Sequence, residues 1–146
     1  MILNTALLCM AMNIYHESRG ESIAGQIAVA QVTMNRAGQE QNVCNVVLEP
    51  NQFSWTRKLV KGKRVTKRGM PTDMEAWNHA LTISQVVLTG VIPDFIGGAK
   101  FYHEKTHRPS WRRQMTMIAS IGNHTFYRLR NDNEQTLRRG FGSTRA

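Results

Sequence analysis

The feature that most constrains this chain is a break between two helical patterns near its amino terminus. Residues 2–12 are almost entirely apolar, and Asn4 or Thr5 can cap a helix that continues to about Ser18. Gly20 then interrupts the helical pattern. The chain therefore turns here, where an apolar helix runs directly into a polar segment.

A second helix is predicted to begin just after this break. Ser22 can cap it, and the following apolar residues recur at helical spacing, at positions Ile23, Ile27, Ala30 and Met34. Two helices therefore meet at residues 17–21.

Glu17 is the candidate catalytic residue of this junction. The apolar residues that precede it can shield its side chain from water: Leu3, Leu7, Leu8, Met10, Ala11 and Ile14. Loss of water disfavours the charged form and raises the pKa of a carboxyl group, as a general acid at neutral pH requires. Spacing alone does not distinguish this role from that of a solvated or capping glutamate.

The middle of the chain is predicted to be helical. A short helix spans about residues 42–48 and is stopped by Pro50. A longer one opens at Pro71 and runs to about Thr89, with one stripe formed by Trp77, Leu81, Ser84 and Leu88.

The last third changes character and predicts a small sheet. Residues 99–103 and 124–128 are short, aromatic-rich and partly alternating, which favours two strands that pair antiparallel. Residues 110–120 between them are expected to form a short helix or an irregular crossing.

Length and composition favour one domain. The 146 residues are 41% hydrophobic, which is enough for a real core, so we predict one folded domain at residues 1–130. The polar, basic residues 131–146 are expected to form a flexible tail. No window approaches about 18 uninterrupted apolar residues, which argues against a membrane span. Cys9 and Cys44 lie in apolar contexts and are expected to be buried free thiols, although one disulfide stays open.

The formal net charge is +9, and residues 56–69 hold seven basic side chains and no acid. Gly62 and the mixed pattern favour a loop or β-hairpin over a helix. The basic loop at residues 57–68 is either simply solvated or attracts an anionic cell-envelope surface. A specific nucleic-acid partner is not expected, since no recognisable reading module is present.

Six pieces of the chain, in fixed order, resemble the SleB-type cell-wall hydrolase family, which includes spore cortex-lytic enzymes and phage or bacterial peptidoglycan hydrolases. They cover most of residues 13–128 and read NIYHESRGESIAGQIAVAQVTMNR from Asn13, VCNVV from Val43, QFSW from Gln52, GGAKFYH from Gly97, PSW from Pro109 and IGNHTFYR from Ile121. The resemblance implies a single lysozyme-like domain, α+β but mainly α, with a small antiparallel hairpin beside the cleft. It implies action on peptidoglycan glycan strands, with Glu17 at the position of the family's catalytic glutamate.

Glycosidases usually employ two carboxylates, but acids are scarce near Glu17 in this sequence. One carboxyl group suffices for a lytic transglycosylase, so we favour that chemistry at the MurNAc–GlcNAc β-1,4 bond over hydrolysis by a muramidase with the same glutamate. We assign Glu21 to capping of the second helix or to orientation of Arg19, rather than to catalysis.

Carbohydrate sites combine aromatic faces with amide and hydroxyl donors, and core packing is the alternative role for each aromatic residue. The candidate substrate-binding residues are Tyr15, His16, Gln52, Phe53, Ser54, Trp55, Gly98, Ala99, Tyr102, His103, Trp111, His124 and Tyr127. Phe95 and Ile96 stand where the family often has a threonine before the glycines, so this chain departs from the pattern there.

Residues 103–107 match the zinc-protease signature H-E-x-x-H, which requires both histidines on one helical face. The context opposes a helix, because Phe101 and Tyr102 favour a strand and Pro109 disfavours a helical Arg108. We therefore predict neither a metal nor another cofactor, and keep a zinc protease and a basic binding module as alternatives of other classes.

The apolar run at residues 2–12 lacks a basic segment before it, so we expect a core helix and not a signal peptide. The expected setting is a monomeric phage endolysin, made in the host cytoplasm and released to the periplasm and cell wall. A bacterial or prophage wall-remodelling enzyme is the second expectation.

Overall fold

The structure is a computed structural model that describes residues 1–40 and 42–130. The predicted tail at residues 131–146 lies outside the described residues.

Helices α1, Ala6–Ser18, and α2, Ile23–Ala37, form the predicted pair around the turn. Thr5 and Ser22 cap them, and each side-chain oxygen accepts a hydrogen bond from the backbone NH three residues on, at 3.2 and 3.1 Å. Gly20 makes the turn at a φ of 88°, a conformation that glycine adopts without steric cost.

Further helices and strands follow in the described part of the chain. They are α3 Val43–Leu48, α4 Ser54–Leu59, β1 Val60–Lys61, β2 Arg64–Val65, α5 Met74–Leu88, β3 Phe101–Glu104, β4 Met115–Ile121 and β5 His124–Leu129, with 3-10 turns at Gly38–Glu40, Lys67–Gly69 and Ser110–Gln114.

Helix α1 lies at the centre and packs against α2, α3 and α5. Residues 9–15 of α1 are all fully or almost fully buried, as expected for a helix that is apolar on every side. The predicted second helix is present as α2, and of its apolar residues at helical spacing Ile23 is 67% exposed. Within the described residues, no helix is both long and apolar enough to cross a membrane.

The antiparallel sheet has the strand order β3-β5-β4. The predicted pairing of β3 with β5 is confirmed, with Tyr102 opposite Phe126. The expectation of an irregular crossing at residues 110–120 is wrong beyond Gln114, because β4 pairs with β5 as a hairpin around Gly122 and Asn123. A glycine–asparagine pair between two apolar segments is a hairpin signal that could have revealed this strand.

The basic segment contains the predicted hairpin, since β1 pairs with β2 around Gly62. The rest of the prediction is wrong, because α4 carries Arg57 and Lys58 on a helix. The hairpin is anchored to the amino terminus, where Leu3 N donates to Lys63 O at 2.7 Å.

The expectation of free thiols is wrong. Cys9 of α1 and Cys44 of α3 form a disulfide, and their Cα atoms are 5.3 Å apart. The packing of α3 on α1 brings the two residues within the distance that a disulfide spans.

Candidate active site

A pocket of about 380 Å³ opens where the end of α1, the start of α2 and the edge of the sheet meet. We call it the Glu17 pocket. Its lining side chains are Glu17, Arg19, Glu21, Glu104, Lys105, Thr106, Asn123 and His124.

Glu17 is the penultimate residue of α1 and is only 6% exposed. The Tyr102 hydroxyl, which is fully buried on β3, donates a hydrogen bond to Glu17 Oε1. The end of the helix is held by Ser18, whose hydroxyl donates to Ile14 O at 2.9 Å. The carboxyl group is therefore largely shielded from water and held by Tyr102, and it lines the pocket.

Glu21 has a different role from the one predicted. Ser22 caps α2, and the Glu21 carboxylate instead accepts hydrogen bonds from Asn123 N at 2.8 Å and Asn123 Nδ2 at 3.0 Å. His124 Nδ1 lies 3.2 Å from Glu21 Oε1. Glu21 thus ties the β4–β5 turn to the start of α2 and closes one side of the pocket.

Arg19 is oriented by Tyr15 and not by Glu21. Its Nη1 donates to the Tyr15 hydroxyl, and its guanidinium carbon lies 4.3 Å from the centre of the Tyr15 ring. The same hydroxyl accepts from the backbone NH groups of Thr72 and Asp73, both at 3.1 Å. Burial tends to raise the pKa of Tyr15, but these NH groups and the Arg19 charge outweigh it and lower the pKa. Tyr15 therefore anchors the start of α5 beneath Arg19.

His16 lies behind the pocket, half-buried against Trp55. The two rings stack with centres 4.7 Å apart, and His16 Nε2 donates to Gly69 O at 2.9 Å. Burial lowers the pKa of His16, the Arg19 charge lowers it further, and the Gly69 bond opposes both. Trp55 in turn donates to Asn13 Oδ1 at 2.9 Å.

Other predicted binding residues also lie away from the Glu17 pocket. Gln52 and Phe53 are buried under α4, and exposed Ser54 begins that helix. Gly98 donates its NH to Asp94 Oδ2 at 2.8 Å, and the neighbouring Ala99 is buried. None of these five residues lines the Glu17 pocket.

His103 and Tyr127 line a second pocket, of about 280 Å³, on the face of the sheet. Trp111 packs edge-on against both rings, with centres 6.0 Å from His103 and 5.6 Å from Tyr127. Lys105 lines this pocket and the Glu17 pocket alike. The two pockets are therefore neighbours.

Sequence reasoning missed four lining residues, Glu104, Lys105, Thr106 and Asn123. Acids are scarce along the chain near Glu17, but folding brings Glu21 and Glu104 to the same pocket. Glu104 is thus a further carboxyl group in the wall of this pocket, beside Glu17 and Glu21. A signal was present, because Glu104 directly follows the predicted aromatic strand.

The H-E-x-x-H segment is a strand followed by a turn. His103 and Glu104 lie on β3, and His107 N donates to Glu104 O at 3.0 Å in the turn after it. The two histidines are not on one helical face, and in the described residues no three His, Cys, Asp or Glu side chains are placed so that they could hold a metal ion.

The sequence pattern of the Cell Wall Hydrolase family matches residues 20–127. The chain belongs to this family. Among similar proteins of known structure, the catalytic domain of the germination-specific lytic transglycosylase SleB from Bacillus anthracis superposes with a TM-score of 0.63. It is 27% identical, and the match covers 84% of this chain and 93% of that one. The catalytic domain of the Bacillus cereus SleB protein gives a TM-score of 0.59 at 26% identity, over 84% and 89% of the two chains.

A curated relative of this Cell Wall Hydrolase family member is the spore cortex-lytic enzyme of Halalkalibacterium halodurans. It is 33% identical over 121 residues, which are 80% of this chain and 33% of that protein. The chain thus spans about a third of the length of this relative. The comparisons confirm the predicted family and the α+β, mainly α, lysozyme-like fold. The family match begins at Gly20, three residues after Glu17.

Proposed function

We propose that this Cell Wall Hydrolase family member cleaves the MurNAc–GlcNAc β-1,4 bond of peptidoglycan, with Glu17 as the general acid and then the general base. The observation that carries the proposal is the position of Glu17, a nearly buried carboxyl group that reaches a polar pocket and accepts a hydrogen bond from Tyr102. Burial favours the protonated form that an acid needs, and the tyrosine hydroxyl stabilises the carboxylate left after proton transfer.

The favoured reaction is lytic transglycosylation, which the name of the Bacillus anthracis relative supports. Glu17 donates its proton to the glycosidic oxygen as the bond from the muramic anomeric carbon breaks. The resulting carboxylate accepts the proton of the muramic 6-hydroxyl, whose oxygen closes on the same carbon. The products are a 1,6-anhydromuramic end and a free hydroxyl on N-acetylglucosamine, and no water is consumed.

Hydrolysis by a muramidase is the second candidate, and Glu104 favours it. This carboxyl group lines the same pocket and could activate water or stabilise the anomeric carbon. The two reactions therefore differ in whether they require Glu104.

The test is mass spectrometry of fragments released from purified peptidoglycan by wild type, Glu17→Gln, Glu104→Gln and the control Glu75→Gln. Glu75 is exposed on α5, so its substitution should leave the rate unchanged. Glu17→Gln should lose about a hundredfold or more of the rate while unfolding at the same denaturant concentration. Anhydro ends and an active Glu104→Gln variant support transglycosylation, whereas reducing muramic ends and an inactive Glu104→Gln variant support hydrolysis. An active Glu17→Gln variant overturns both.

The same assay separates the alternatives of other classes. A zinc protease would lose activity with chelator or with His107→Ala and would sever peptide stems. A binding module would attach with strong salt dependence and release no fragment.

The proposed setting is a phage endolysin acting outside the reducing cytoplasm, and the Cys9–Cys44 disulfide supports such a compartment. The basic segment would contribute attraction to an anionic envelope surface. All its cationic side chains are exposed: Arg57, Lys58, Lys61, Lys63, Arg64, Lys67 and Arg68. Sedimentation with anionic and zwitterionic vesicles should show binding to the former only, weakened by salt.

A further inference from the structure

The second pocket, on the sheet face beside the Glu17 pocket, has the composition of an anion site. Lys105, Arg108 and Arg112 line it together with the hydroxyl groups of Ser120 and Thr125. No carboxylate is among its lining side chains in the described part of the chain. Three positive charges thus border a cavity of about 280 Å³ with no acid in its wall.

His103 and Tyr127 form a buried, hydrogen-bonded part of the pocket wall and supply no carboxylate. His103 and Tyr127 are 4% and 7% exposed, and their rings stack with centres 5.2 Å apart. His103 Nδ1 lies 2.7 Å from Glu104 O, a carbonyl that only accepts, so Nδ1 carries the hydrogen. In the neutral ring Nε2 then accepts from the Tyr127 hydroxyl at 2.8 Å.

The positive charges of Arg112 and Arg108 are felt by Tyr127 in the wall of this pocket. Burial raises the pKa of Tyr127, and the charges of Arg112 and Arg108 partly offset that rise. Arg112 Nη1 donates to Pro109 O at 3.2 Å, which holds this side chain at the rim. A planar guanidinium held in this way is suited to paired hydrogen bonds with a carboxylate.

We infer that the second pocket binds a carboxylate of the peptide stem carried by the muramic acid at the cleavage site. This inference rests on the proposed function, because the stem is attached to the sugar whose anomeric bond breaks. Lys105 lines both pockets, so the pocket that holds the arginines adjoins the one that would hold the sugar. The enzyme consequently selects glycan strands that still carry their stems.

The test compares kcat/KM on soluble glycan strands with intact stems and on the same strands stripped by an amidase. Wild type should prefer the intact strands, and Arg108→Ala/Arg112→Ala should lose about tenfold on them while keeping its rate on stripped strands. The matched control is Arg113→Ala/Arg128→Ala, which removes two exposed arginines of the same β region that do not line the pocket. The control should retain the preference.

Three results would overturn the inference. The first is an equal loss of kcat/KM on both substrates in Arg108→Ala/Arg112→Ala, and the second is the same loss in the control variant. The third is a wild-type preference that disappears when phosphate-bearing wall polymers are removed but persists when the stems are removed. A binding measurement distinguishes failure of this inference from failure of the proposed function. The free stem tetrapeptide should shift the amide NMR signals of Ser120 and Thr125 in wild type, but not in Arg108→Ala/Arg112→Ala. If wild type cleaves neither glycan, the proposed function fails, and the tetrapeptide alone decides what the pocket binds.

Discussion

Substitution of Gly122 by alanine tests how tightly the β4–β5 turn is joined to α2. Gly122 has a φ of 56°, and a Cβ there would lie 2.8 Å from Glu21 Oε1. The left-handed backbone costs a non-glycine residue about 1 kcal/mol. Glu21 must also move away, which weakens the hydrogen bonds it accepts from Asn123 and costs about 1 kcal/mol more at this partly exposed position. We therefore expect Gly122→Ala to lower the free energy of unfolding by about 2 kcal/mol.

Gly20→Ala is the matched control. Gly20 also has a positive φ, 88°, but a Cβ there meets nothing within 4 Å, so only the backbone cost of about 1 kcal/mol applies. The entropy that alanine removes from the unfolded chain is the same in both variants and cancels in the comparison.

Urea unfolding followed by tryptophan fluorescence, with the disulfide intact, measures these differences. A double-mutant cycle with Glu21→Ala isolates the contact, because Glu21→Ala should cost about 1 kcal/mol less in the Gly122→Ala background than in wild type. A Gly122→Ala variant as stable as Gly20→Ala, together with a coupling energy of zero, would refute the reasoning.

Three further predictions follow from the same structure. Replacing Cys9 and Cys44 by alanine should lower the free energy of unfolding in urea by about 4 kcal/mol, since the disulfide closes a loop with a sequence separation of 35. When both proteins are unfolded with reductant present, the difference from wild type should disappear. Tyr102→Phe removes the hydroxyl that donates to Glu17, so the carboxylate form loses stabilisation and the pKa of this carboxyl group should rise. The alkaline limb of the pH–activity profile should then move to higher pH, and an unchanged profile contradicts this role. Burial lowers the pKa of His16 in the folded state. Its contribution to stability is therefore present above about pH 6.5 and is lost as the pH falls through the folded pKa. His16→Gln should consequently lose less stability between about pH 7 and about pH 5 than wild type does, as measured by urea unfolding.

The helical part of the fold was predictable because its signals are local. Thr5 and Ser22 cap the helices that their sequence context indicates, and Asp73 caps α5 through a hydrogen bond from Ala76 N at 3.0 Å. Which apolar residues of α2 are buried was less predictable, since burial depends on which neighbours cover the helix. Ile23 follows the helical period but is mostly exposed.

The burial of the Glu17 side chain was predictable, and the residues around it were less so. The burial of Glu17 follows from the apolar helix that leads to it, as the sequence indicates. Glu104 and Asn123 were missed because each reaches the pocket through strand pairing between distant segments. Gln52 and Trp55 resemble sugar-binding residues in sequence, and in the fold both side chains are buried, with the Trp55 indole NH donating to Asn13 Oδ1.

The sequence by itself determined the two capped helices, the turn at Gly20 and the placement of an acid at their junction, because these depend on residues within a few positions of one another. Only the tertiary structure decided which groups meet that acid. Tyr102 lies 85 residues from Glu17 along the chain, and Cys9 lies 35 residues from Cys44. Such contacts depend on how the sheet docks against α1 and how α3 packs on it, and this docking is set by the whole core and not by any local pattern.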